Sequence, residues 1–194
     1  PGWRKHDVRH TEANVPVTNQ MLERAYIHTG AHVLDIASGT GEPALTRFDR
    51  DALVQTASGY IIVLEGINDI SGGATADAII QGHRQLIKRA HARGLKIYGA
   101  TLTPFFNAIA MNPQREVERQ ALNNWIRTSG AYDAVIDFEA AVRDPSNPLR
   151  MLPQYDSGDT LHPNSAGYEA MANAVDLNLF KPRGASRSAR KNSA

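Results

Sequence analysis

A carboxylate stands three residues ahead of a histidine in Asp159-Thr160-Leu161-His162-Pro163-Asn164, the strongest chemical signal in the chain. On a tight loop at a helix start, that spacing lets the carboxylate reach the imidazole. It can then fix the tautomer and stabilise the imidazolium that forms when the ring accepts a proton. The plainer reading is an Asp that caps a helix beside a surface His, and the spacing alone favours it. A second signal, Gly66-Ile67-Asn68-Asp69, follows directly on the apolar run Tyr60 to Leu64. A side-chain amide there would project beyond a strand end and could donate to a developing oxyanion, a contribution of about 3 kcal/mol when correctly aimed. Gly, Asn and Asp are also what an ordinary turn uses. The other histidines carry no claim. His6, His10, His28 and His32 show no carboxylate spacing that suggests a metal site, and His83 and His91 read as surface groups on a helix.

These residues need elements to hold them. AHVLDIASGTG is an apolar run ending in a small-residue turn at Ser38 to Gly41, and SGYIIVLEGINDI contains a continuous β-branched and aromatic core. Such a core is what a strand buried on both faces requires. A helix is predicted from about Thr75 to Arg93, with Ala78, Ile79, Leu86, Ile87 and Ala90 at helical spacing and Gly94 closing it. LKIYGATLTP is a third strand, stopped by Pro104. A long helix from Pro113 to about Thr128 carries Val117, Ala121, Leu122, Trp125 and Ile126 on one face, and AYDAVIDF is a fourth strand. A loop rich in Pro, Asp and Gly (Asp144 to His162) then leads to a last helix near Asn164. Strands alternating with helices predict a three-layer α/β/α sandwich around a mostly parallel sheet. Ligands bind such sheets beyond the C-terminal strand ends, where both signals fall.

Taken together, GxND after a strand and DxxHPN before the terminal helix resemble blocks III and V of the SGNH (GDSL-type) serine hydrolases. The resemblance runs from about residue 47 to 180 through VLEGINDI, QLIKRAHARGLKIYGATLTPF, WIRTSGAYDAVIDF and YDSGDTLHPNSAGYEAMA. It implies a flavodoxin-like sheet and ester hydrolysis. It also implies that Asn68 is an oxyanion donor, His162 the base and Asp159 its orienter, with Gly66 shaping the turn. The family's Gly-Asp-Ser block and block II glycine are not visible. Residues 3 to 45 instead resemble the start of a class I S-adenosylmethionine-dependent methyltransferase, whose motif I matches VLDIASGTGEPAL. That match stops at about Leu45, with no acidic ribose ligand after it. The chain therefore reads as a chimera: a methyltransferase-like segment (1–46), a hydrolase-like domain (47–180) and a basic tail (181–194).

Two readings of the nucleophile compete. In one, the strand His32 to Ala37 replaces the missing first strand. Ser38 then lies just past a strand end as the nucleophile, and the N–H groups of Gly39 and Gly41 join Asn68 in the oxyanion hole. In the other, ASGTGEPAL occupies the place of block II, no catalytic serine exists, and the protein is a hydrolase remnant. Ser58 precedes its strand and sits at the wrong end. A small residue is needed at Ser38 in any case, because the backbone turns tightly there.

Bulk composition narrows the classes. The 194 residues suffice for one domain with a real core. A net charge of +1 calls for neither nucleic acid nor an acidic membrane, and no apolar run reaches the roughly 18 residues of a membrane span. Without cysteine there are no disulfides, thiolate metal sites or cysteine nucleophiles. The opening PGWRKHDVRHTEANV lacks the apolar segment of a signal peptide, so the expected compartment is the cytoplasm. The tail KPRGASRSARKNSA has the composition of a disordered segment. The expected activity is a small esterase acting on short-chain esters through an acyl-enzyme, without cofactor or metal. A homodimer would cover apolar surface left by a truncated sheet. A module binding S-adenosylmethionine through Asp35 to Gly41 ranks last.

Overall fold

The apolar runs form strands, and all of them run the same way. The computed structural model describes residues 43–53, 59–106 and 112–180, and the backbone of 33–36. Strands β1 (Val33–Ile36), β2 (Tyr60–Val63), β3 (Lys96–Ala100) and β4 (Ala134–Ile136) make one parallel sheet in that order. β1, within the predicted strand His32 to Ala37, pairs with β2 so that Ile36 lies level with Val63. Alternate residues of β2 and β3 face opposite layers, as the two-residue period of a strand demands. Ile61, Val63 and Ile97 enter one buried cluster. Ile62, Tyr98, Ala100 and Ile136 enter the other.

Helices cover both faces, giving the three layers predicted. On the first face lie α1 (Ala44–Phe48), α3 (Ala76–Ala92) and α4 (Pro113–Thr128); α2 (Ile67–Ser71) follows β2. On the second lie α5 (Phe138–Val142) and α6 (Ser165–Asn173). Starts and stops are local chemistry. Thr75 caps α3 by accepting from the Ala78 N–H at 3.3 Å, and Asn112 caps α4 by accepting from the Arg115 N–H at 3.0 Å, with Pro113 at the first helical position.

Three expectations need correction. The predicted apolar face of α4 holds only in part: Leu122 and Ile126 are buried, but Val117 and Ala121 are exposed, and the polar Glu116, Arg119 and Asn123 are buried as well. The charged residues go inside because they satisfy one another. Arg119 bonds Glu116 (2.6 and 2.8 Å) and Glu139 (2.7 Å), and Asn123 donates to Glu139 at 3.1 Å. Buried charge is tolerated in this fully paired form. On α3, Ala78 is exposed and His83 is buried rather than on the surface. Finally, the loop from Asp144 to His162 contains a strand: β5 (Arg143–Asp144) and β6 (Asn147–Met151) form an antiparallel ribbon.

The ribbon leaves the C-terminal end of β4 through α5 and meets the segment after β3, where the Phe106 N–H donates to the Leu149 carbonyl at 3.2 Å. That segment is held from behind by Asn123, which exchanges two hydrogen bonds with the backbone of Leu102 (2.7 and 2.8 Å). Beyond α6 the chain sets Phe180 against Tyr60, the first residue of β2, with ring centroids 5.3 Å apart. α6 therefore runs back toward the strand starts, and the loop preceding it lies toward their C-terminal ends.

Candidate active site

The segment from Tyr155 to Asn164 folds into a loop that closes on itself. Asn164 N–H donates to the Tyr155 carbonyl (2.7 Å) and Ser157 N–H to the His162 carbonyl (3.0 Å), with a bridge between Asp156 and Pro163. The Asn164 side chain donates to the carbonyls of Gln154 (2.9 Å) and Asp156 (3.0 Å), and its oxygen caps α6 at the Gly167 N–H (3.0 Å). Gly167 is required there, since a Cβ would lie 2.6 Å from the Tyr155 carbonyl oxygen.

Inside this loop Asp159 and His162 meet. His162 Nδ1 lies 2.5 Å from Asp159 Oδ2. A carboxylate can only accept, so Nδ1 carries the proton and Nε2 is left as the ring's open position. Nε2 has no hydrogen-bond partner among the described residues. The other carboxylate oxygen, Oδ1, accepts from the N–H groups of His162 (2.8 Å) and Leu161 (2.9 Å) and from Ser157 Oγ (3.0 Å). Burial pushes the Asp159 carboxyl up. The bonds from the His162 side chain, the two N–H groups and Ser157 outweigh it, holding the group far below the ordinary carboxylate range. Both side chains are half exposed, at 59% for His162 and 50% for Asp159. The arrangement can take a proton at Nε2 and keep the resulting cation beside a carboxylate.

Asn68 stands exposed on α2, just beyond β2. Gly66 before it has φ 122°, and a Cβ there would come within 2.9 Å of Leu122 Cδ2. Only glycine permits that turn to press against α4. Ile67 and Leu161, the neighbours of Asn68 and His162, pack against one hydrophobic cluster. Ser38, Gly39 and Gly41 lie outside the described residues, as does most of the segment Asp35 to Gly41. A hollow of about 350 Å³ lined by Thr75, Asn112, Arg115 and Glu118, among others, includes neither Asp159 nor His162. Among the described residues, no group of three or more His, Asp or Glu could hold a metal ion, and no helix is long and apolar enough to cross a membrane.

Sequence reasoning passed over the residues that build the loop, Asp156 and Ser157 above all. Their signal was present in the clustering of Asp, Ser and Gly, whose short polar groups bond nearby backbone.

Residues 13–170 match the GDSL-like Lipase/Acylhydrolase family, a span that reaches well into the segment expected to be methyltransferase-like. Among solved structures, a candidate GDSL-like lipase from Parabacteroides merdae is 16% identical. It aligns over 85% of this chain and 81% of its own, with a TM-score of 0.67. An acetyl xylan esterase is 17% identical over 84% and 88%, at a TM-score of 0.63. A candidate acylhydrolase from Bacteroides fragilis is 21% identical over 71% and 69%, at a TM-score of 0.58. These likenesses are of fold. No curated protein matches the chain.

Proposed function

This chain belongs to the GDSL-like lipase/acylhydrolase family, and we propose that it is a serine esterase that cleaves short-chain carboxylic esters through an acyl-enzyme. The observation that carries the reading is the carboxylate-held imidazole of His162, with Nε2 open on an exposed loop. Ser38 is the nucleophile. Its Oγ attacks the ester carbonyl while His162 Nε2 takes its proton, and Asp159 stabilises the imidazolium. The imidazolium then protonates the departing alkoxide. Water repeats the sequence on the acyl-serine and releases the acid. The Asn68 amide and the N–H groups of Gly39 and Gly41 donate to the oxyanion in both tetrahedral intermediates.

Two observations support this assignment. β1 runs parallel to β2 and ends level with it, and Ser38 comes two residues later in sequence. That favours a replacement strand over a remnant without a nucleophile. The half-exposed position of His162 and Asp159 favours small acyl groups. Residues 1–46 contribute a strand to this chemistry whatever their ancestry.

The test is hydrolysis of p-nitrophenyl acetate and butyrate by the purified chain beside Ser38→Ala and His162→Ala. Turnover by the wild type with a loss of about a thousandfold or more in each variant is expected. Activity that survives Ser38→Ala, or never appears, sinks the assignment and leaves the remnant.

A further inference from the structure

We propose that Asp156 is a positioning residue for the Asp159–His162 pair, holding Thr160 in the left-handed backbone conformation that turns the Asp159 carboxylate onto His162. Its catalytic consequence rests on the esterase reading above; its structural consequence does not.

Between Asp159 and His162 only two residues are available to reverse the chain. The reversal is made at Thr160, whose φ is 61°. It is the one residue other than glycine with positive φ among the described residues. A β-branched side chain is poorly suited to that region, because Cβ crowds the carbonyl that follows. Thr160 therefore needs support from outside its own peptide units, and Asp156 supplies it. Asp156 Oδ1 accepts from the Thr160 N–H at 3.0 Å and from the Gly158 N–H at 2.7 Å. Gly158, with φ 104°, supplies the other sharp bend.

The consequence appears one peptide later. With Thr160 reversed, the N–H groups of Leu161 and His162 both point back at Asp159 Oδ1, which leaves Oδ2 facing His162 Nδ1. Asp156 touches neither the imidazole nor any reacting atom. It sets the backbone on which the orienting carboxylate depends, and a shift of about 1 Å in such a group can lower turnover a hundredfold.

The experiment is a double-mutant cycle between Asp156 and Thr160, read by kinetics on p-nitrophenyl acetate and by NMR titration of the Asp159 carboxyl. Asp156→Ala should lower kcat about 10- to 100-fold with KM little changed. Asp156→Asn keeps an acceptor oxygen and should stay within about threefold of the wild type. Glycine needs no support at positive φ, so in a Thr160→Gly background the same alanine change should lower kcat by about threefold or less. The Asp159 titration should move up toward the ordinary carboxylate range in Asp156→Ala alone. Equal losses in both backgrounds, or lost activity with an unmoved Asp159 titration, overturn the proposal. If the wild type hydrolyses no ester, the esterase reading falls instead, and the Asp159 titration decides the positioning by itself.

Discussion

Among the described residues, two histidine–aspartate pairs lie toward opposite ends of the parallel sheet, and their surroundings differ. At the strand starts, His91 in the last turn of α3 meets Asp133, just before β4, with Nε2 2.9 Å from Oδ2. Asp133 is also bonded by Lys96 and by the Ile97 N–H at 2.9 Å. The pair near the strand ends, His162 and Asp159, uses Nδ1 instead. Two details separate them. Asp133 already faces a full positive charge, whereas the fixed donors around Asp159 are backbone N–H groups and a hydroxyl, leaving the imidazolium as its natural counter-ion. His91 uses up Nε2 in the bond, whereas His162 keeps Nε2 free for a proton. A His–Asp contact is thus no signature of chemistry by itself. Which ring nitrogen is committed, and what else the carboxylate serves, decide it.

The comparison is most easily broken by removing each carboxylate's charge. Asp159→Asn should lower kcat about ten-thousandfold, because the amide favours the wrong imidazole tautomer. Asp133→Asn should leave kcat unchanged and lower the melting temperature through the lost ties among α3, β3 and β4. Ester kinetics and thermal melts on the two variants check both. Comparable kinetic losses would mean that the two pairs are not functionally distinct.

Why one pair was legible in the sequence and the other was not follows from distance along the chain. Asp159 and His162 are three residues apart, so their meeting depends on one loop. His91 and Asp133 are 42 apart and meet only through the fold. The strands Tyr60–Val63 and Lys96–Ala100 were legible because burial on both faces leaves a continuous apolar run. The polar part of the buried face of α4 was not. Glu116, Arg119 and Asn123 recur at helical spacing, but charge at such spacing ordinarily reads as a solvated face. Its true partner, Glu139, lies 20 residues beyond Arg119. The ribbon β5–β6 was hidden for another reason: it is short, mostly exposed and interrupted by Pro, so no alternation marks it.

A third histidine sharpens the contrast from the buried side. His83 is 3% exposed, with Nδ1 2.9 Å from the Tyr132 hydroxyl and its ring edge-on to Trp125 and Tyr132. Burial pushes its pKa down to about 4, offset only in part by the backbone of Glu65. The folded value lies below the ordinary 6.5, so the unfolded chain takes up the proton first as pH falls. The contribution is full above pH 6.5 and is lost down to about pH 4, a span of about 3 kcal/mol. Urea denaturation at several pH values should show that rise for the wild type and a flatter one for His83→Gln. Equal slopes would show that His83 does not titrate with unfolding.

The smallest expected effect tests the charge beside Asp133. Burial raises the Asp133 carboxyl. Bonds from Lys96, the Ile97 N–H and His91 bring it below the ordinary range nonetheless. Its stabilising contribution is therefore present above the unfolded carboxylate value and lost as pH falls through the lower folded one. Lys96 is 41% exposed and Asp133 14%, so solvent screens their attraction, and Lys96→Met should lower stability by only about 0.2–1 kcal/mol. The loss should shrink in high salt, since the wild-type pair is screened there and the variant has no pair to screen. Ester turnover should not change. A loss of turnover would tie the strand starts to the loop that holds His162, and the division of labour between the two pairs would fail.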